Sequence, residues 1–231
     1  MKATKAQVKK MTLGELAARV PFATKLFQKH HLDFCCRGNQ PLGEACKRKG
    51  VEAGLVLDEL HGLMRGKSNI EWGSVSNSDL TRHIIDQYHD SLRATVPEIL
   101  RLARKVEAVH ADHSACPAGL SDVLSQMWEE LERHMAKEER ILFPMMCEQW
   151  SLVETGGPVR QMMIEHIDHG DGLARIRRLC DDFKCPKGAC TTWKALYLSL
   201  GALEEELMEH IHLENNVLFQ RVIGAAEGFP A

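Results

Sequence analysis

Two ten-residue segments, HMAKEERILF from His134 and HIHLENNVLF from His210, repeat one arrangement of side chains. Each has a carboxylate four residues after its histidine, Glu138 and Glu214. Three positions further on comes an aliphatic-Leu-Phe triplet, Ile141-Leu142-Phe143 and Val217-Leu218-Phe219. On an α-helix, residues four apart stand one above the other on the same face, so imidazole nitrogen and carboxylate oxygen point together. One such pair is ordinarily a solvated i, i+4 contact worth about 0.2–0.5 kcal/mol. Two in the same register point to a shared task, and this pair of donor types suits a metal ion.

The other histidines extend the pattern. His89 lies 45 residues before His134, and His166 lies 44 before His210. The chain therefore reads as a duplicated helix pair: a histidine, then His-x-x-x-Glu, twice over. Four histidines and two carboxylates converging from four helices suit two metal ions better than one. Imidazole with carboxylate fits iron, manganese or zinc, and a four-helix bundle with inward-facing ligands is an established host for di-iron carboxylate centres.

The elements that must position these residues are helices. With 231 residues the chain can bury one good core and a smaller second unit, and Leu, Met, Ala, Glu and Arg abound while aromatics are few. The fold class expected is all-α: a four-helix up-down bundle preceded by a small helical N-terminal domain. Residues 1–66 form that domain, with Thr12 and Glu15 as a capping box leading into Leu16, Val20, Leu26 and Phe27. Residues 67–78 are polar and aperiodic and read as a linker. Residues 79–231 form the bundle.

Four amphipathic stretches follow the linker. The first carries His89, and Pro97 is expected to bend or split it. The second carries His134 and Glu138 along a stripe of Leu120, Val123, Leu124, Met127, Trp128, Leu131, Met135 and Ile141, with Pro144 weakening its last turn. The third is expected to open at Pro158 and carries His166. The fourth, capped by Thr191 or Thr192 and ending near Gly224, carries His210 and Glu214.

A formal charge of -3 gives no general attraction to nucleic acid or anionic membranes. No signal peptide and no apolar run of ~20 residues is apparent, so a cytoplasmic protein is expected. Its eight cysteines are then free, redox-active or metal-binding rather than disulfide-bonded. Adjacent Cys35 and Cys36 suit thiol exchange or iron transfer, with packing as the plain alternative. Cys180, Cys185 and Cys190 recur every five residues, which is not a zinc-finger spacing. Glu130, one turn before His134, and Glu165, adjacent to His166, could support the ligands, or serve as exposed charges. His169 could reach the same face as His166, whereas His212 points away from His210. His30, His31, His61, His83, His110 and His113 read as surface histidines.

The segments LGELAARVPFATKLFQKHHLDFCCRGN, QYHDSLR, KVEAVHAD, EELERHMAKEERILFPMM, ACTTWKALY and HIHLENNVLF together resemble the Repair of Iron Centres family, over essentially the whole chain. The resemblance implies a hemerythrin-like bundle holding two non-haem iron ions in an oxo- and carboxylate-bridged centre. Its ligands would be His89, His134, His166 and His210, with Glu138 and Glu214 as bridges. Oxygen-carrying hemerythrins have His-x-x-x-His on the third helix. Here Gly170 stands in the second of those positions, which leaves a more open centre unless His169 fills it.

The function so implied is repair of iron-sulfur clusters damaged by nitrosative and oxidative stress, through iron donation and nitric oxide binding. The partners are nitric oxide or oxygen, damaged iron-sulfur proteins and an electron donor, with no nucleic acid or membrane. Two other classes remain open at this stage: a nitric oxide reductase, and a hemerythrin-like protein that binds or senses nitric oxide or oxygen.

Overall fold

A computed structural model describes residues 5–20, 22–63, 72–148 and 150–227. Helices dominate, and the β-type pairing among the described residues is a single bridge between Thr12 and Pro41. Contacts divide the chain into two compact units: Met1–Leu80 with Trp150–Val159 and Met208–Ala231, and Thr81–Gln149 with Arg160–Leu207.

The first unit begins with short helices, among them Leu13–Arg19, Ala23–Lys29, Leu42–Lys49 and Ala53–Leu63. The capping box at Thr12 is present: its N–H donates to Glu15 Oε2 at 2.9 Å, and the Glu15 N–H donates to Thr12 Oγ1 at 3.2 Å. Such a pair satisfies two backbone donors that the first turn leaves open. Leu16, Val20, Leu26 and Phe27 are all buried, as the stripe requires. Helices this short cannot bury much alone, and the C-terminal stretch shares their core. Phe34 lies edge-on to His212 with ring centroids 5.6 Å apart, and Leu213, Leu218 and Phe219 are buried in the same unit. Of the expected linker, residues 67–71 lie outside the described residues. Trp72–Ser74 is a turn of 3-10 helix, and Arg221 ties down this stretch by donating to Asn77 Oδ1 and the Trp72 carbonyl.

In the second unit four helical stretches form the up-down bundle. Arg104 donates to Ser125 between the first and second helices, Glu165 accepts from His134 between second and third, and Arg177 pairs with Glu204 between third and fourth. Leu92, Val96, Ile99, Ala103, Leu120, Leu124, Met127, Leu131, Ile176, Trp193, Leu196 and Leu200 fill the interior.

Several sequence expectations are corrected here. Pro97 does not split its helix, which runs from Asp90 to Val109. The third helix is Leu152–Leu179 and begins six residues before Pro158. Its start is set by Ser151, whose N–H and Oγ both donate to Glu154 Oε2, at 3.0 and 2.6 Å. The fourth helix is capped by Cys190, because Thr191 is already helical and the Cys190 carbonyl accepts from the Lys194 N–H. Ile141 is 55% exposed. Six residues beyond Met135 is about 600° of rotation, which falls outside the stripe; Leu142 and Phe143 are the buried members of that triplet.

Among the described residues the helices also contain three π turns: Ile85–His89, Glu138–Leu142 and Glu214–Leu218. In each, the residue after the turn donates its N–H to the carbonyl five back, as Phe219 does to Glu214 at 2.8 Å. Such turns are rare insertions of one residue into an α-helix and gather at functional sites. Each of these three begins or ends on a candidate ligand.

Candidate metal centre

Within the second unit, Glu138 is the meeting point. It is fully buried and stands at the start of its π turn. Its Oε1 faces His134 Nε2 at 3.3 Å and His166 Nε2 at 4.0 Å, while its Oε2 faces His89 Nε2 at 3.6 Å. The three histidines are 0–1% exposed. The two oxygens of one carboxylate thus face histidines from different helices, and the His134 and His166 Nε2 atoms stand 2.9 Å apart.

The far nitrogen of two of these rings is held by a second carboxylate. His134 Nδ1 donates to Glu165 Oε2 at 2.9 Å, and His89 Nδ1 donates to Glu139 Oε1 at 2.7 Å. Each of these carboxylates is backed by a cation: Lys137 on Glu165 and Arg93 on Glu139. The His134 hydrogen bond, opposed by partial burial and reinforced by Lys137 and Gln161, holds the Glu165 carboxyl well below the usual range. Burial alone would raise Glu139, but hydrogen bonds from His89 and Arg93 outweigh it and keep that carboxyl low. With the proton fixed on Nδ1, the Nε2 lone pairs of His89 and His134 are directed at Glu138, the tautomer a metal ligand needs.

These residues fit a cation. Neither oxygen of Glu138 meets a hydrogen-bond donor among the described residues. A buried carboxylate without donors costs several kcal/mol, and two imidazole nitrogens with inward lone pairs beside it add repulsion. A metal ion among these atoms turns both penalties into bonds. Buried nitrogen and oxygen donors of this kind suit iron, manganese or zinc.

In the first unit, His210 Nε2 lies 3.0 Å from Glu214 Oε1, both buried, and Glu214 opens its own π turn. The next two residues reach a different part of the chain. Asn215 Nδ2 donates to the Cys35 carbonyl at 3.0 Å and Asn216 Nδ2 to the Phe34 carbonyl at 3.1 Å. Asn216 fits against bare backbone, since a Cβ on Gly14 would come within 2.2 Å of its Oδ1 and one on Gly38 within 2.6 Å. Cys35 and Cys36 face each other with sulfurs 3.5 Å apart, and Asp33 Oδ1 accepts from the Cys36 N–H at 3.0 Å. The Cys36 contact, together with burial, pushes the Cys35 thiol well up. His212 lies against Phe34 and Asn216, and burial depresses its imidazole to about 4.

Glu130 accepts from Gln126 on its own helix. His169 is buried edge-on to His134, with ring centroids 4.9 Å apart. His30 pairs with Glu59, His61 with its own helix backbone, and His110 with Cys190. Sequence reasoning missed Glu139, although an acidic residue beside Glu138 and an arginine four residues after His89 were both visible. It also missed Asn215-Asn216, two poor helix formers in mid-helix whose amides have tertiary partners.

Residues 80–222 match the hemerythrin HHE cation binding domain, and residues 9–64 match a domain of unknown function, DUF542. The chain is 44% identical over 213 residues to the iron-sulfur cluster repair protein YtfE of Dickeya chrysanthemi, covering 92% of this chain and 96% of that one. It is 43% identical over 211 residues to the proteins of the same name from Enterobacter sp. and Escherichia coli O1:K1, covering 91% of this chain and 96% of each. The chain belongs to the hemerythrin-domain family of iron-sulfur cluster repair proteins. No helix among the described residues is long and apolar enough to cross a membrane.

Proposed function

We propose that this chain is a di-iron protein that helps restore iron-sulfur clusters damaged by nitrosative and oxidative stress, giving up iron and binding nitric oxide. The observation that carries the metal reading is Glu138, buried without a hydrogen-bond donor while its two oxygens face histidines on separate helices. Repair of clusters comes from the relatives, which bear that name and align over nearly the full chain. The hemerythrin and DUF542 matches support the division into residues 1–66, a linker at 67–78 and the bundle at 79–231.

In this reading His89, His134, His166 and His210 would supply nitrogen donors to the metal, and Glu138 and Glu214 would supply carboxylate oxygens. Iron held in this donor set would supply redox-active, Lewis-acidic chemistry. The protein's part is to hold the ligand lone pairs inward, through Glu139 on His89 and Glu165 on His134, and to keep water from the buried carboxylate. The pairs Arg93–Glu139 and Lys137–Glu165 keep both outer carboxylates ionised. The clients are damaged iron-sulfur proteins of the cytoplasm, and an electron donor completes the cycle.

The test is reactivation of a nitric-oxide-damaged iron-sulfur dehydratase by the iron-loaded full chain under anaerobic conditions. Stoichiometric recovery with matching iron loss is expected, and Glu138→Ala should abolish it. Steady conversion of nitric oxide to nitrous oxide with no recovery of the dehydratase would make the chain a reductase instead.

A further inference from the structure

A cysteine and an imidazole meet at the start of the fourth bundle helix. Cys190 immediately precedes the helix Thr191–Leu213, whose first-turn backbone N–H groups have no partner within the helix. From the end of the first bundle helix, His110 Nε2 reaches the same sulfur at 3.1 Å. The His110 ring is set by fully buried Trp193, with centroids 4.8 Å apart. Open backbone donors at the head of a long helix and an adjacent imidazole both favour a thiolate over a thiol. The His110 contact, followed by the backbone of the helix's first turn, brings Cys190 down to about 7, whereas burial raises Cys46, Cys116 and Cys180, the last to about 12.

We infer that Cys190, paired with His110, is a nucleophilic thiolate and a modification site for low-molecular-weight disulfides. Its sulfur attacks one sulfur of the disulfide, a new S–S bond forms at Cys190, and the other half leaves as a thiolate protonated by His110 or water. Cys190 is oxidised to the mixed disulfide and half of the co-reactant is reduced. At pH 7 a thiol of pKa about 7 is about half ionised, against ~3% for an ordinary cysteine. Lower basicity costs nucleophilicity, with a Brønsted slope of about 0.4–0.5, so the net gain is about threefold.

The test incubates the full-length protein with glutathione disulfide at pH 7 and follows each cysteine by peptide mass spectrometry. Cys190 should be modified first, about three times faster than the exposed Cys185 and Cys147. His110→Ala, or His110→Gln if the first variant misfolds by circular dichroism, should slow Cys190 by up to that factor and leave Cys185 unchanged. Faster modification of Cys185 or Cys147 in the wild-type protein overturns the inference by itself. So does a folded His110 variant with an unchanged Cys190 rate.

Discussion

The side-chain amide of Asn215 donates to the backbone carbonyl of Cys35 at 3.0 Å, joining positions 180 residues apart. Asn215 directly follows Glu214, so the loop carrying the cysteine pair is fastened to the turn that carries a candidate ligand. The hydrogen bonds from Asn215 and Asn216 hold that loop against the C-terminal stretch of the same compact unit.

Asn216→Ala should therefore destabilise the protein. It removes the donor to the Phe34 carbonyl and the partner of His212. A lost buried partner costs about 1–3 kcal/mol, and at about 2–4 °C per kcal/mol for a chain of this size the apparent Tm should fall by several degrees. An unchanged Tm in thermal unfolding of the metal-free protein would remove Asn216 as an anchor.

Changing Cys35→Ser and Cys36→Ser together should leave iron content and the visible spectrum unchanged, because the anchor runs through the Cys35 backbone. Reactivation of a damaged iron-sulfur enzyme should slow. Iron loss in that variant would make the sulfurs ligands, and undiminished reactivation would leave them as packing residues.

Glu139→Gln and Glu165→Gln should each weaken iron binding by about 10–100-fold, as loss of a ligand's hydrogen-bonded carboxylate does elsewhere. Glu130→Gln should not, since Glu130 bonds Gln126. Competition with a ferrous chelator measures all three. Equal losses for Glu130 and Glu165 would contradict the assignment of support to the carboxylates on His89 and His134.

The bundle and the repeated histidine–carboxylate register were legible because i, i+4 spacing survives any tertiary context, and two copies make the register visible. The π turns were not legible. One inserted residue shifts a hydrophobic stripe by only part of a turn, and within HMAKEERILF either geometry accommodates the same letters. Glu139 was hidden for the same reason, since regular helix geometry rotates it about 100° from Glu138. The true start at Ser151 was legible as Ser-x-x-Glu, but Pro158 offered the more familiar signal.

Deleting Arg140, which is exposed within the turn Glu138–Leu142, should restore regular α-helical register. The residues beyond would rotate against His134 and Glu138, and iron binding should collapse while helical circular dichroism persists. Full iron occupancy in that variant would show that the π turn does not position Glu138.

The central claim is tested most directly by counting metal in the anaerobically purified, iron-replete full chain, by elemental analysis per mole of protein. The full chain is needed because His210 and Glu214 belong to the same compact unit as the N-terminal helices. The expected result is two irons per chain, falling sharply in Glu138→Ala and in Glu214→Ala. A single iron, or zinc in its place after iron-replete expression, would contradict a di-iron centre built from these six residues.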